Sequence, residues 1–211
     1  MKKNVPSMVK DEKLIQKRRE QMIKAAVSLF KEKGFHRTTT REIARVAGFS
    51  IGTLYEYIRK KEDVLYLVCD SIYDEVRERL EEQLKPDITG IERLRQALHA
   101  FYHVMDDMQD EVLVMYQEAK SLPRETLPYV LKKELGMAEI FERLIEECVT
   151  EGKLRLTEDE IYGAAHNILV QGQMWTFRRW ALHSHYSIEE YTKMQEGFLM
   201  QALNPIEAKN V

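Results

Sequence analysis

Four segments of the chain open on Ser or Thr followed three residues later by Glu: Thr39/Glu42, Thr89/Glu92, Thr157/Glu160 and Ser187/Glu190. In such a pair the hydroxyl accepts from an unpaired amide of the first helical turn, and the carboxylate reaches back to the amide of the capping residue. One match is easily chance. Four, each at the head of an apolar run with helical spacing, restrict the chain to a series of helices. No segment shows the period-two alternation of a half-buried strand. The expected fold class is all-α, with nine helices.

The first helix is expected from Lys13 to Lys33, ended by Gly34, with Ile23, Ala26, Val27 and Phe30 as its apolar stripe. The second runs from Thr40 to Ala47 and the third from Ile51 to Ile58, with Ser50 as cap. The fourth, Glu62 to Leu84, carries Leu65, Val68, Cys69, Ile72, Val76 and Leu80 and stops before Pro86. The fifth spans Gly90 to Met108, the sixth Asp110 to Lys120, and the seventh Pro128 to Glu151. The eighth runs from Thr157 to His183 and the ninth from Ser187 to Leu203. The chain has 9 Gly and 5 Pro among 211 residues, too few turn formers for an all-β sandwich.

Net charge is −3, but its distribution is uneven. Residues 1–62 hold 16 Lys and Arg against 7 Asp and Glu, net +9, and the remainder holds 16 against 28, net −12. A basic N-terminal third on an acidic body is the pattern of a local polyanion-binding head. We expect a flexible basic tail over 1–12 (Lys2, Lys3, Lys10), a DNA-binding head over 13–61 and a ligand-binding and dimerisation body over 62–211. Cys69 and Cys148 belong to no Cys/His cluster, so no structural metal, cofactor or disulfide framework is expected, and a reducing cytoplasm is the default location. The longest stretch without Asp, Glu, Lys or Arg, Ile161–Phe177, is too short and too polar for a membrane span.

The second and third helices are short and joined by Gly48-Phe49-Ser50, the spacing of a helix-turn-helix. Ile43, Ala44, Ala47, Ile51 and Leu54 are expected to pack the pair together, leaving Ser50, Gly52, Thr53, Glu56 and Tyr57 outward. A recognition helix in the major groove needs slim or polar residues at its start, and Ser50, Gly52 and Thr53 supply them. Tyr55, Tyr57 and Lys61 suit phosphate contacts, and Thr40 and Arg41 at the start of the second helix, with Lys2, Lys3 and Lys10 of the basic tail, are expected to reach the flanking DNA backbone.

The residues Gly34-Phe35, Thr38-Thr39, Arg41-Glu42-Ile43-Ala44, Ala47-Gly48, Ser50, Gly52-Thr53-Leu54-Tyr55, Tyr57, Lys61-Glu62 and Leu65 resemble the N-terminal signature of TetR/AcrR-type bacterial transcriptional regulators. The resemblance covers residues 17–65, and Ile58 departs from it where the family usually places an aromatic. It implies a DNA-binding head on an all-α body that dimerises and binds an effector. Such proteins are mostly repressors released from a palindromic operator by a small ligand.

The body carries no equally sharp motif. Trp175, Phe177, Trp180, Tyr191 and Phe198 occupy more than one face of the last two helices and are expected at a homodimer interface. Tyr102, His103, Tyr116, Gln117, His166, Asn167 and Gln171 are polar groups on apolar faces and are the candidate ligand contacts. Met105, Met108, Met115, Met137 and Met174 would form an adaptable wall for an apolar effector. The stretch from Met174 through Tyr191 weakly resembles regulators of fatty-acid and acyl-CoA metabolism, which would place Arg178 and Arg179 on a phosphate or carboxylate of the effector. No Gly-rich phosphate loop, nucleophile elbow or HExxH is present, so an enzyme is not expected. His99 and His103 have metal-compatible spacing, which leaves a metal-sensing variant as the alternative.

Overall fold

The computed structural model describes Val5 and residues 7–85 and 87–206. Lys2 and Lys3 of the basic tail, and Pro86, expected to stop the fourth helix, lie outside the described residues. Secondary structure among the described residues is helical throughout: α1 (Glu12–Arg37), α2 (Thr40–Val46), α3 (Ile51–Tyr57), α4 (Lys61–Gln83), α5 (Gly90–Asp107), α6 (Gln109–Glu118), a 3₁₀ turn (Ala119–Ser121), α7 (Leu127–Thr150), α8 (Glu158–Phe177), α9 (Arg179–Leu182) and α10 (Ile188–Leu203). The all-α expectation holds. The helix expected to reach His183 instead breaks at Arg178, whose φ of −109° and ψ of 22° turn the chain out of the helix, so ten α-helices rather than nine are found among the described residues.

Three of the four capping boxes form in full, at Thr39, Thr157 and Ser187. The fourth does not, because Gly90 takes a φ of +58° and Thr89 makes no side-chain cap bond. Glu92 lies 3.4 Å from Arg95 instead.

The described residues divide into two compact units. One is the chain up to Asp74 together with Asp110–Lys133; the other is Glu75–Gln109 together with Glu134 onward. The compact region around the helix-turn-helix is therefore larger than residues 13–61.

In the first unit, α1 buries Ile15, Met22, Ala25, Ala26, Leu29 and Phe30. This stripe is rotated from the expected one, since Ile23 and Val27 are half-buried. Ile43 and Ala44 of α2 and Leu54 of α3 complete the core. Gly48 turns the chain between α2 and α3 with a φ of +77°, a conformation open to glycine at little cost. Among the described residues of the tail expected to be flexible, Val5 is buried, and the Met8 amide donates to the Glu56 carbonyl at 2.8 Å.

In the second unit, α5 packs on α8 and on α10. Gly172 makes the first of these contacts possible, because a Cβ there would lie 2.3 Å from Cε1 of Phe101. Phe101 in turn meets Phe141 edge-on at 5.2 Å. Among the described residues no helix is long and apolar enough to cross a membrane.

Candidate functional site

The start of α3 is a small polar platform fixed by local bonds. The Ser50 hydroxyl accepts from the Thr53 amide at 3.0 Å and lies 2.9 Å from the Thr53 hydroxyl. Gly52 between them is exposed, and a Cβ there would meet nothing closer than Ser50 Oγ at 3.6 Å, an ordinary contact. The head itself has room for a side chain at this position. A mid-helix glycine costs about 1 kcal/mol relative to Ala, and no internal close approach accounts for it. An external surface approaching the backbone would.

Thr40 and Tyr55 bring α2 and α3 together at the outer surface, with their hydroxyls 3.1 Å apart. Arg41 is exposed beside them. Thr39 caps α2, and Glu42 is held down to a pKa of about 2 by its bond to Lys33, then by the Thr39 amide and hydroxyl.

Two of the expected phosphate-contact residues are placed otherwise. Tyr57 is 2% exposed, because it lies three residues beyond Leu54 on the face turned to the core. It cannot face outward as expected. Lys61 is half-buried, and its ammonium donates to the carbonyls of Phe35 (2.8 Å), Thr38 (3.0 Å) and His36 (3.3 Å) while sitting 4.2 Å from the Phe35 ring centre. It caps the end of α1. Sequence reasoning missed this role because the partners lie 23 to 26 residues away. It also missed Glu118, whose carboxylate accepts from the Phe35 amide at 3.0 Å across 83 residues.

The body candidates differ in burial and in bonding. Tyr102 is fully buried and donates to Gln171 Oε1 at 3.1 Å, while Tyr191 donates to the Gln171 carbonyl at 2.6 Å. Burial pushes both phenols up, Tyr191 to about 12. His103 is half-buried, and His166 is half-buried with an enclosed Nε2 that has no hydrogen-bond partner. Asn167 and Arg178 are exposed, and Arg178 sits 5.4 Å from the Trp180 ring centre. Tyr116 and Gln117 are exposed and belong to the other unit.

The five expected dimer residues also divide. Trp175 is 2% exposed, donates to Asp106 Oδ1 at 2.8 Å and stacks on His183 at 4.0 Å. Tyr191 is fully buried beside it. Both are satisfied inside their own subunit, so neither is available to a partner surface. Phe177 is half-buried. Trp180 and Phe198 are 75% and 57% exposed.

Among the described residues no group of three or more His, Cys, Asp or Glu is placed to hold a metal ion. His99 pairs with Glu196 at 2.7 Å. Burial, then His103 and Arg95, holds its pKa below the usual histidine value.

Residues 22–66 match the family model described as bacterial regulatory proteins, tetR family, and residues 87–174 match the tetracyclin repressor-like C-terminal domain. The chain is 31% identical over 197 residues to the HTH-type transcriptional regulator HbdR of Aromatoleum sp. (strain CIB), covering 93% of this chain and 84% of that protein. It is 27% identical to the fatty acid metabolism regulator protein of Bacillus subtilis (strain 168), covering 68% and 77%. Among solved structures, AibR in complex with isovaleryl coenzyme A and operator DNA superposes with a TM-score of 0.72 at 18% identity, covering 90% of this chain and all of that one. The chain belongs to the TetR family of bacterial transcription regulators, DNA-binding helix-turn-helix proteins and not enzymes.

Proposed function

We propose that this regulator is a repressor that binds a palindromic operator as a homodimer and leaves it on binding a small apolar effector. The observation that carries the DNA reading is the Ser50–Gly52–Thr53 platform, with Ser50 and Gly52 exposed and Thr53 half-buried, slim enough for the α3 backbone to approach base edges. Thr53 and Ser50 read bases, while Thr40, Arg41 and Tyr55 hold phosphates on one wall of the groove. Lys61 supports this surface by fixing the end of α1, and Tyr57 by filling the core. The acidic remainder of the chain favours docking through the head alone.

Two heads read half-sites about 34 Å apart, which requires a two-fold partner. Exposed Trp180 and Phe198 are the apolar residues we assign to that contact. The effector class follows from the names of the relatives: a fatty-acid regulator in one case and an isovaleryl coenzyme A complex in another. An acyl-CoA or fatty acid is therefore the effector we assign. His166 and His103 remain as its polar contacts. Tyr102 and Gln171 would take part only by giving up their mutual bond.

The test is DNA affinity across a salt series with duplexes selected by this protein from a random pool. Each neutralised phosphate adds about 0.9 to the slope of log affinity against log salt. A steep slope, with release on adding long-chain or isovaleryl coenzyme A, supports the reading. Salt-independent binding would remove the DNA proposal, and complexes indifferent to both thioesters and to free fatty acids would remove the effector class.

A further inference from the structure

The end of α1 is held by residues far along the chain. At Gly34 it departs from helical geometry, with a φ of +79° and a ψ of 162°. The Phe35 amide that follows donates to Oε1 of Glu118 at 3.0 Å, and the Phe35 carbonyl accepts from the Lys61 ammonium. Phe35 is thus fixed at both of its backbone polar groups. A Cβ on Gly34 would lie 3.3 Å from the same Glu118 oxygen, so the glycine leaves the carboxylate its place beside the kink. Glu118 is half-buried where α6 passes into the 3₁₀ turn.

Glu118 does not act alone. His36 Nε2 lies 3.1 Å from the Ser121 hydroxyl, and Lys31 pairs with Asp110. Residues within 110–121 therefore meet residues within 31–36. By sequence that segment belongs to the body expected over 62–211, yet in the structure it shares a compact unit with the helix-turn-helix.

From Phe35 a series of local bonds leads to the outer surface. The Thr38 amide donates to the Phe35 carbonyl at 3.2 Å, and the Thr38 hydroxyl donates to the Gly34 carbonyl at 2.9 Å. Thr39 then caps α2, and Thr40 and Arg41 follow at its start. Contacts to phosphate set the register of a protein on the duplex, and a displacement of about 0.5 Å in the backbone beneath them is enough to spoil the geometry.

We propose that Glu118 is a positioning residue for DNA binding: its carboxylate, through the Phe35 amide, fixes the turn over 34–39 and so sets Thr40 and Arg41 against phosphate. Glu118 itself meets no nucleotide. The role rests on the DNA reading above and extends it to a residue 83 positions beyond Phe35.

The experiment uses the full chain and the pool-selected duplex. Wild type, Glu118→Ala, Glu118→Asp, Glu118→Gln, Arg41→Ala and the Glu118→Ala/Arg41→Ala double variant are compared by affinity across a salt series. Alanine removes the acceptor, aspartate withdraws it by one methylene, and glutamine keeps it. Arg41→Ala is expected to lower the salt slope by about 1. Glu118→Ala and Glu118→Asp should lower it by a similar amount and weaken binding several-fold, with base preference unchanged. Glu118→Gln should keep the wild-type slope. The double variant should lose no more slope than Arg41→Ala, because both changes remove one contact. Melting curves separate misfolding from loss of placement, and Glu118→Asp carries the comparison if Glu118→Ala does not fold. Wild-type slopes in Glu118→Ala and Glu118→Asp, or slope losses that add to that of Arg41→Ala, would overturn the role of Glu118 and leave the helix-turn-helix reading intact. Wild type that binds no duplex, or binds without salt dependence, would overturn both.

Discussion

The start of the recognition helix and the aromatic centre of the body are both networks of hydroxyl and amide groups, yet they end in opposite states. Around α3 the bonds are short in sequence, three residues from Ser50 to Thr53 and from Thr39 to Glu42, and they leave Thr39, Ser50 and Gly52 exposed. Around α5, α8 and α10 they join Tyr102 to Gln171 and Asp106 to Trp175, each 69 residues apart, and the two aromatic side chains are buried. Local bonds fix the shape of a surface without closing it. Long-range bonds close a core and consume the polar groups that might otherwise meet a ligand. The difference explains why the head presents an open surface while Tyr102 and Gln171 of the body are already bonded to each other.

The contrast can be broken most strongly at the two tyrosines of α3. Tyr57→Ala should behave as a core truncation, costing about 3–5 kcal/mol by analogy with buried aromatics. Chemical denaturation would show it. Tyr55→Phe should leave stability nearly unchanged and weaken DNA binding of all sequences alike. Equal stability of Tyr57→Ala and wild type would contradict the burial that separates the two residues.

Next in size is Gly172→Ala. Its methyl would meet Phe101, so about 1–3 kcal/mol of strain is expected, and Phe101→Leu in the same chain should recover part of it. Thermal unfolding of the single and double variants measures this. A single variant as stable as wild type would show that α5 and α8 do not approach this closely.

The capping hydroxyls give a finer comparison. Thr39→Ala should cost about 1 kcal/mol, and Thr89→Ala only a few tenths, because Thr89 makes no cap bond. Equal losses at the two sites would contradict the broken box at Gly90.

The smallest effect is acid dependence at the head. The folded value of Glu42, about 2, lies below its ordinary value of 4.5, so the unfolded chain takes up this proton first as pH falls. The stabilisation is complete above about pH 4.5 and fades towards pH 2. Glu42→Gln should flatten that part of the stability–pH curve, and an unchanged curve would remove the Lys33–Glu42–Thr39 linkage from the account.

The same contrast decides what could be read from sequence. The α3 platform rests on bonds three residues apart, so composition and spacing reveal it. Tyr57 was misplaced although the signal was available, since its spacing from Leu54 puts both on one helix face. Trp175 and Tyr191 were readable as apolar and large, but nothing in the chain says that Asp106 and the Gln171 carbonyl wait for them across the fold. Lys61 suits a phosphate contact by sequence for the same reason: its three carbonyl acceptors belong to the end of another helix. The burial of Val5 is not legible in sequence, because a single apolar residue in a basic tail carries no periodicity.

The central claim is that the α3 platform reads base sequence. Selection of duplexes from a random pool by wild type and by Thr53→Ala tests it directly. The account predicts paired half-sites for wild type and, for Thr53→Ala, a relaxed preference at one position of each half-site with the same salt slope. Identical preferences for the two proteins would contradict it.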